Sequence, residues 1–121
     1  MNQLTNYLYR QREFSFKNFG QPHEENPTAG VQDHLAKELK EVAENPLDVS
    51  EWIDIVILAF DGAIRAGFEP EQIVQALLDK QAKNERRRWP DWRTATPGKA
   101  IEHIRGDEQP LDPGEGTGDA Q

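Results

Sequence analysis

The sequence contains no cysteine, and this absence excludes disulfide bonds and zinc-thiolate sites. An excess of basic residues is also missing, since 22 acidic and 14 basic residues leave a formal charge of -8. Because non-specific nucleic-acid binding depends on lysine and arginine neutralising phosphates, this charge argues against a nucleic-acid partner. No apolar run approaches the roughly 18 residues that span a bilayer, and the first residues are too polar for a signal peptide. We therefore expect a cytoplasmic protein without membrane contact.

Strand patterns are missing too. No segment alternates apolar and polar residues as a half-buried strand does, and no internal repeat is visible, so the sequence predicts an all-α fold. The length of 121 residues suits one domain, which we place at residues 1–105. Residues 106–121 are rich in glycine, proline and acidic residues, a composition that predicts a disordered acidic tail.

Four main helices are predicted from apolar residues at helical spacing, from capping residues and from prolines. They run from Asn2 to about Glu13, from an N-cap at Thr28 to about Glu44, from a cap at Asp48 or Ser50 to Gly67, and from Pro70 to about Arg88.

The connections between these helices carry predictions of their own. Residues 14–27 contain two prolines, a glycine and two asparagines, which favour a long irregular loop. A short additional helix is expected from Pro97 to Ile104. The third helix, EWIDIVILAFDGAIRAG, carries its charges on one face, so we expect its other faces to be buried.

Four carboxylates stand on the second and third helices as two pairs, each pair one helical turn apart: Glu38 and Glu41, then Glu51 and Asp54. A turn of a few residues joins the two helices, so they must pack antiparallel and the pairs can face each other. Carboxylates in such a gap repel unless cations neutralise them, and oxygen ligands suit Mg²⁺ or Mn²⁺. The quartet predicts a divalent-metal site in which each pair can hold one ion.

The alternative for Glu38 and Glu41 is ordinary surface ion pairing with the lysines of the same helix. Glu51 and Asp54 favour the metal, because a charge among apolar side chains is costly unless it has a partner. A di-iron carboxylate site is disfavoured, since it typically needs Glu-x-x-His on two helices and that spacing does not occur.

Lys80, Asn84 and Arg87 share one face near the end of the fourth helix. Arginine offers forked donors, lysine a compact cation and asparagine a neutral donor, so this face predicts binding of a polyphosphate. The alternative is a solvated basic helix end that complements the helix dipole.

Two further residues of the second and third helices are candidates for substrate contact. His34, one turn before Glu38, would contact phosphate or a metal-bound water, or is a hydrogen-bonded structural histidine. Asp61 would be a fifth acidic ligand, or simply pairs with Arg65.

Aromatic residues offer candidates for contact with a base. Tryptophan rings stack on bases but also pack in cores and interfaces, and both possibilities apply to Trp52, Trp89 and Trp92. Three phenylalanines form either an apolar lid or part of the core: Phe14, Phe16 and Phe19.

The order ExxE, helix turn, ExxD and then K-x-x-x-N-x-x-R resembles the MazG-like superfamily of all-α nucleoside triphosphate pyrophosphohydrolases. More closely, HLAKELKEVAENPLDVSEWIDIVILAFDGAIRAGF, KQAKNERRRWPDWR and KAIEHIR are similar to the dATP/dGTP pyrophosphohydrolase domain of many phages, the MazZ-like group. The resemblance covers roughly Phe14 to Arg105. It implies an antiparallel helical bundle that forms a homodimer or homotetramer, and a host cytoplasm if the protein is phage-encoded.

The resemblance also implies an activity. Two or more Mg²⁺ or Mn²⁺ ions would be held by the quartet, and a deoxynucleoside triphosphate, dGTP or dATP, would be cleaved between its α- and β-phosphates. We expect Glu38 and Glu41 to be catalytic, with Glu41 orienting the attacking water and accepting its proton. Two other classes remain open: a non-catalytic acidic helical interaction module and a nucleotide-binding sensor with negligible turnover.

Overall fold

A computed structural model describes residues 2–105, and most of them belong to four α-helices. The helices are α1 (Gln3–Phe19), α2 (Ala29–Glu44), α3 (Val49–Arg65) and α4 (Pro70–Arg86), with a short 3-10 turn at Trp92–Thr94. Residues 2–105 contain no strand, which confirms the all-α prediction. Within this range no helix is long and apolar enough to cross a bilayer. The predicted tail, residues 106–121, lies outside the described residues, and the placing of one domain at residues 1–105 stays a prediction.

Local signals explain where most helices begin. The N-cap of α1 is Asn2, whose Oδ1 accepts the backbone N–H of Thr5 at 2.8 Å. The predicted cap at Asp48 is confirmed, since its Oδ1 accepts the backbone N–H of Ser50 at 3.0 Å. Thr28 stands at the N-cap of α2 as predicted, but its side chain makes no capping hydrogen bond. Proline opens α4, where its missing N–H costs nothing.

The prediction that α1 ends near Glu13 is wrong, because α1 runs to Phe19. The segment 14–19 contains neither proline nor glycine, and Ser15 within it is buried and hydrogen bonded to α3, so tertiary contacts extend the helix. Gly20 follows as the C-cap, and its φ of 87° favours glycine. The irregular loop before α2 is therefore shorter than predicted and covers residues 20–28.

The short helix predicted from Pro97 to Ile104 is also wrong, since no residue of that segment is helical. A single turn closes where the backbone N–H of Lys99 donates to Thr96 O at 3.1 Å. Further along, the backbone N–H of Ile104 donates to Arg88 O at 2.8 Å. The segment's backbone therefore bonds to a distant residue, which a local pattern does not reveal.

The chain divides by its internal contacts into two units, Met1–Ala76 and Leu77–Gln121. The core of the first unit consists of Leu8, Ile64, Ile73 and Val74. In this unit α2 and α3 form an antiparallel hairpin, as predicted. A Cβ on Gly62 would lie 3.5 Å from Val31 Cγ1, so the end of α3 faces the start of α2.

The expectation that α3 buries its apolar faces is wrong for this chain. Of the residues in α3, Ile64 alone is buried, and Trp52, Ile53 and Val56 are 50%, 46% and 42% exposed. The core packs against the second half of α3, and this arrangement leaves several apolar side chains of the first half exposed. Contiguous exposed apolar side chains are typical of interaction surfaces.

Candidate functional site

Three of the four predicted carboxylates come together near the turn of the α2–α3 hairpin. One carboxylate oxygen from each of Glu38, Glu41 and Glu51 lies within 4.8 Å of the others. The short turn after α2 causes this, because it places the first turn of α3 opposite the last turns of α2. Oxygen ligands on opposite sides of Mg²⁺ are about 4.2 Å apart, given Mg–O distances of about 2.1 Å. The spacing of these three side chains is therefore close to that of a single octahedral ion.

Asp54, the fourth predicted ligand, does not belong to this group of three and is exposed. Its charge nevertheless acts on the group. The pKa of Glu51 is raised above its usual range, first by desolvation and then by the negative charges of Glu41, Asp48, Asp54 and Glu38. The fold thus disfavours the charged form of Glu51, and a bound cation would reverse that effect.

Glu38 contains an unsatisfied buried oxygen. Its Oε2 is buried and has no hydrogen-bond partner among the described residues, whereas its Oε1 lies 3.5 Å from His34 Nε2. A buried carboxylate oxygen without a partner is costly. Carboxylate oxygens are also the ligands that Mg²⁺ and Mn²⁺ prefer, so the residues present fit such an ion. The contact between His34 and Glu38 has the distance of an ion pair and is not a hydrogen bond, so both alternatives for His34, substrate contact and a structural hydrogen bond, stay predictions.

A cavity of about 550 Å³, which we call the central cavity, lies beside Glu38 in the first unit. Its walls come from α1, the loop 20–28, α2 and α3. Glu38 and Asp54 belong to its lining, so the acidic group and the cavity form one continuous site. The volume is within the range of small-molecule sites, about 300–1,000 Å³.

A different arrangement of charge lies elsewhere on the cavity wall, where Asp61 and Arg65 are 13% and 9% exposed. Asp61 Oδ2 accepts from Arg65 Nε at 3.0 Å, and its Oδ1 accepts from the Ser15 hydroxyl at 2.8 Å. Arg65 Nη2 also donates to Ser15 Oγ at 2.8 Å. Asp61 therefore pairs with Arg65, as one of the two sequence alternatives predicted.

The three candidate lid phenylalanines separate into two groups. Phe14 and Phe19 line the central cavity, and their rings meet edge to face with centroids 5.9 Å apart. Phe16 instead packs against the core and lies beneath the Arg65 guanidinium, 5.4 Å from its ring centroid.

The loop 20–28 contributes cavity residues that the sequence analysis did not single out, notably His23 and Asn26. His23 Nδ1 accepts the backbone N–H groups of Glu25 and Asn26 at 3.1 and 3.2 Å. The available sequence signal was one histidine in a polar loop, which is too common to select a site.

The predicted phosphate face belongs to the second unit. Lys80, Asn84 and Arg87 are all half-buried, and Arg87 Nη1 donates to Asn84 Oδ1 at 2.7 Å. Arg87 stands just past the last residue of α4, Arg86, and still lies next to Asn84. The binding of phosphate by these side chains stays a prediction.

The tryptophans have polar partners of their own. Trp89 Nε1 donates to Asn84 O at 2.9 Å, and its ring meets that of His103 edge to face at 5.9 Å. Trp92 is 69% exposed, with the Arg93 guanidinium 5.2 Å from its ring centroid. Trp52 Nε1 donates to Pro46 O at 2.9 Å. Stacking on a base stays a prediction for all three residues.

A comparison with protein-family models matches residues 8–108 to the dATP/dGTP pyrophosphohydrolase family. The chain belongs to this family. Comparisons with curated proteins and with solved structures found no match. Family membership confirms the resemblance identified from the motifs and gives the general activity, the hydrolysis of purine deoxynucleoside triphosphates.

Proposed function

We propose that this dATP/dGTP pyrophosphohydrolase requires Mg²⁺ or Mn²⁺ and cleaves dGTP or dATP between the α- and β-phosphates. The products are the deoxynucleoside monophosphate and pyrophosphate. The observation that carries the metal requirement is the approach of Glu38, Glu41 and Glu51 to within 4.8 Å. The family match supports the substrate class.

The metal ligands are Glu38, Glu41 and Glu51, and Asp54 adds a fourth carboxylate beside them, enough for two or more ions. Bound Mg²⁺ or Mn²⁺ would neutralise the polyphosphate and lower the pKa of the attacking water. The unpaired buried Oε2 of Glu38 supports this assignment, because coordination would supply the partner that it lacks.

Glu41 orients the water that attacks the α-phosphorus and accepts its proton. Two of the three clustered carboxylates, Glu38 and Glu51, are half-buried, whereas Glu41 is exposed and therefore open to water and substrate. Lys80, Asn84 and Arg87 bind the phosphates, since their donors suit phosphate oxygens. No covalent intermediate is required, and positioning with charge neutralisation provides the catalysis.

The active form is a homodimer or homotetramer. The half-exposed side chains of Trp52, Ile53 and Val56 support this part of the proposal, because a second copy would remove a contiguous apolar face from water.

The test is an assay of pyrophosphate release from dGTP and dATP with Mg²⁺, Mn²⁺ or a chelator. Glu41→Gln is expected to lower kcat by roughly 10²–10⁴-fold, the usual contribution of a positioned general base. Glu44→Gln is the matched control, because it makes the same chemical change one turn later on an exposed position of α2. In H₂¹⁸O, the label is expected in the monophosphate and not in pyrophosphate.

Several outcomes would contradict the proposal. Activity that persists in the chelator would exclude the metal requirement, and release of orthophosphate would exclude cleavage at the α-phosphorus. Nucleotide-dependent thermal stabilisation without turnover would favour a sensor.

A further inference from the structure

The central cavity is elongated, and the acidic group lies at one of its ends. The α2 residues in its wall extend from Gly30 to Glu38, a distance of roughly 12 Å at 1.5 Å per residue. Because α3 runs antiparallel to α2, its lining residues Asp54 and Arg65 belong to opposite ends as well. Asp54 lies with Glu38, and Arg65 lies with Gly30, where Gly62 also approaches α2.

The end remote from Glu38 and Asp54 is built from α1 and the loop 20–28. Ser15 is hydrogen bonded to Asp61 and Arg65, which places this part of α1 at that end together with the neighbouring cavity residue Phe14. The loop leads directly into the first turn of α2, so its lining residue His23 lies there too. A substrate whose phosphates lie at the carboxylates would thus extend its base toward these side chains.

The hydrogen bonds of His23 determine which of its ring nitrogens is the donor. Its Nδ1 accepts two backbone N–H groups, from Glu25 and Asn26, and a ring nitrogen that accepts hydrogen bonds carries no proton. The neutral ring therefore carries its proton on Nε2, the nitrogen that the loop does not use. Adenine and guanine both present N7 as an acceptor on the same edge of the base.

We infer that the purine base of the substrate occupies this end of the central cavity against Phe14 and Phe19, and that His23 donates a hydrogen bond from Nε2 to purine N7. The inference deepens the proposed function and takes from it the identity of the ligand. Aromatic faces stack on any base, so the phenylalanines add affinity without choosing a base. The histidine selects purines over pyrimidines and does not distinguish dGTP from dATP.

The decisive variant is His23→Asn. The asparagine side-chain oxygen stands where Nδ1 stands and accepts the same loop N–H groups, as in an Asx turn, but no atom replaces Nε2. His23→Ala removes both the Nδ1 acceptor and the Nε2 donor. Its loss of stability measures what the Nδ1 hydrogen bonds contribute to the loop. Thermal unfolding is expected at the wild-type temperature for His23→Asn and at a lower temperature for His23→Ala.

The substrate offers the complementary change, because 7-deaza-dGTP and 7-deaza-dATP carry a C–H group in place of N7. For the wild type, each analogue is expected to raise KM by about 3- to 10-fold, the effect of one neutral hydrogen bond. His23→Asn should raise KM for dGTP and dATP by the same factor. The kcat should not change, since the base is held equally in the ground and transition states.

The combination of the two changes separates this hydrogen bond from indirect effects. The analogues should cost His23→Asn no further affinity, because the hydrogen bond is already absent. The inference is overturned if the wild type binds 7-deaza analogues as well as natural substrates, if the two effects multiply independently, or if only one purine is affected.

Calorimetric binding of deoxyguanosine and 7-deaza-deoxyguanosine in a chelator tests the pocket without metal, phosphate or turnover. The inference is supported, even in a protein without activity, if the wild type binds deoxyguanosine more tightly than 7-deaza-deoxyguanosine and His23→Asn binds the two equally. Turnover of dGTP with no such preference would retain the proposed function and remove this inference.

Discussion

Two ends of the same cavity contain carboxylates from the same helix hairpin, and they are partnered in opposite ways. At the loop end, Asp61 is four residues from Arg65 on α3 and within 2.8 Å of the Ser15 hydroxyl. At the hairpin turn, the charges that shift the pKa of Glu51 are all carboxylates. Asp61 has its partners within the protein, whereas protonation or a bound cation would lower the energy of the Glu51 carboxylate.

The comparison shows what distinguishes a structural carboxylate from a candidate ligand. Both kinds of residue recur at helical spacing on one face, so periodicity does not separate them. The two kinds are separated by their partners: a cation one turn away and a hydroxyl on a facing helix give each carboxylate oxygen of Asp61 a donor. Glu38 has no such donor for its Oε2 among the described residues.

The largest expected effect comes from breaking the Asp61–Arg65 ion pair at the loop end of the cavity. Asp61→Asn would leave the Arg65 guanidinium, only 9% exposed, without its counter-charge. Removing one partner of a buried ion pair costs about 3–5 kcal/mol, so the free energy of unfolding is expected to fall by that amount. Chemical denaturation monitored by circular dichroism measures this change.

The control for this prediction is Asp33→Asn, which makes the same change in an exposed pair with Lys37, where both side chains are 72% exposed. Its cost should be below about 1 kcal/mol. Equal costs for the two variants would mean that the Asp61–Arg65 pair is no more important than a surface pair.

A smaller change in stability is expected when a metal ion binds the carboxylates at the hairpin turn. At a free Mn²⁺ concentration of 100 times Kd, the wild type should gain about 2.7 kcal/mol of stability. Glu38→Gln should lose most of this gain, and Glu44→Gln should retain it. Thermal unfolding over a range of Mn²⁺ concentrations gives the answer, and an unchanged gain in Glu38→Gln would remove this residue from the ligand set.

Much of the fold could be predicted because its signals are local. The cap at Asp48, the stop around Gly67 and the proline that opens α4 each act within one turn of the chain. The wrong predictions concern segments whose structure depends on contacts with residues distant in sequence. Ser15 extends α1 through its hydrogen bonds to α3, and Ile104 bonds to Arg88 instead of completing a local helix.

The same distinction between local signals and distant contacts applies to the candidate site. Glu38, Glu41 and Glu51 could be placed together from sequence, since a short turn between two helices fixes which residues face each other. The exposure of α3 could not be predicted, because apolarity along a helix does not reveal whether the same chain or another copy covers it. His23 could not be predicted either, since its importance depends on a loop geometry that no periodic pattern encodes.

The smallest expected effect is the pH dependence of the acidic end, and its sign follows from the raised pKa of Glu51. Below the usual pKa of 4.5, the carboxyl is protonated in both the folded and the unfolded protein and carries no penalty. As pH rises, the unfolded chain releases this proton first. The contribution of Glu51 therefore lowers stability progressively until the pH passes its folded pKa.

Glu51→Gln should remove this contribution, so in a chelator the variant should gain stability over the wild type as pH rises through the range above 4.5. Urea denaturation at a series of pH values measures the difference, and comparison of the two proteins cancels the other carboxylates. If the stability difference between Glu51→Gln and the wild type stays flat or falls with pH, mutual repulsion does not govern the carboxylates at the hairpin turn. The contrast between the two ends of the cavity would then lack an electrostatic cause.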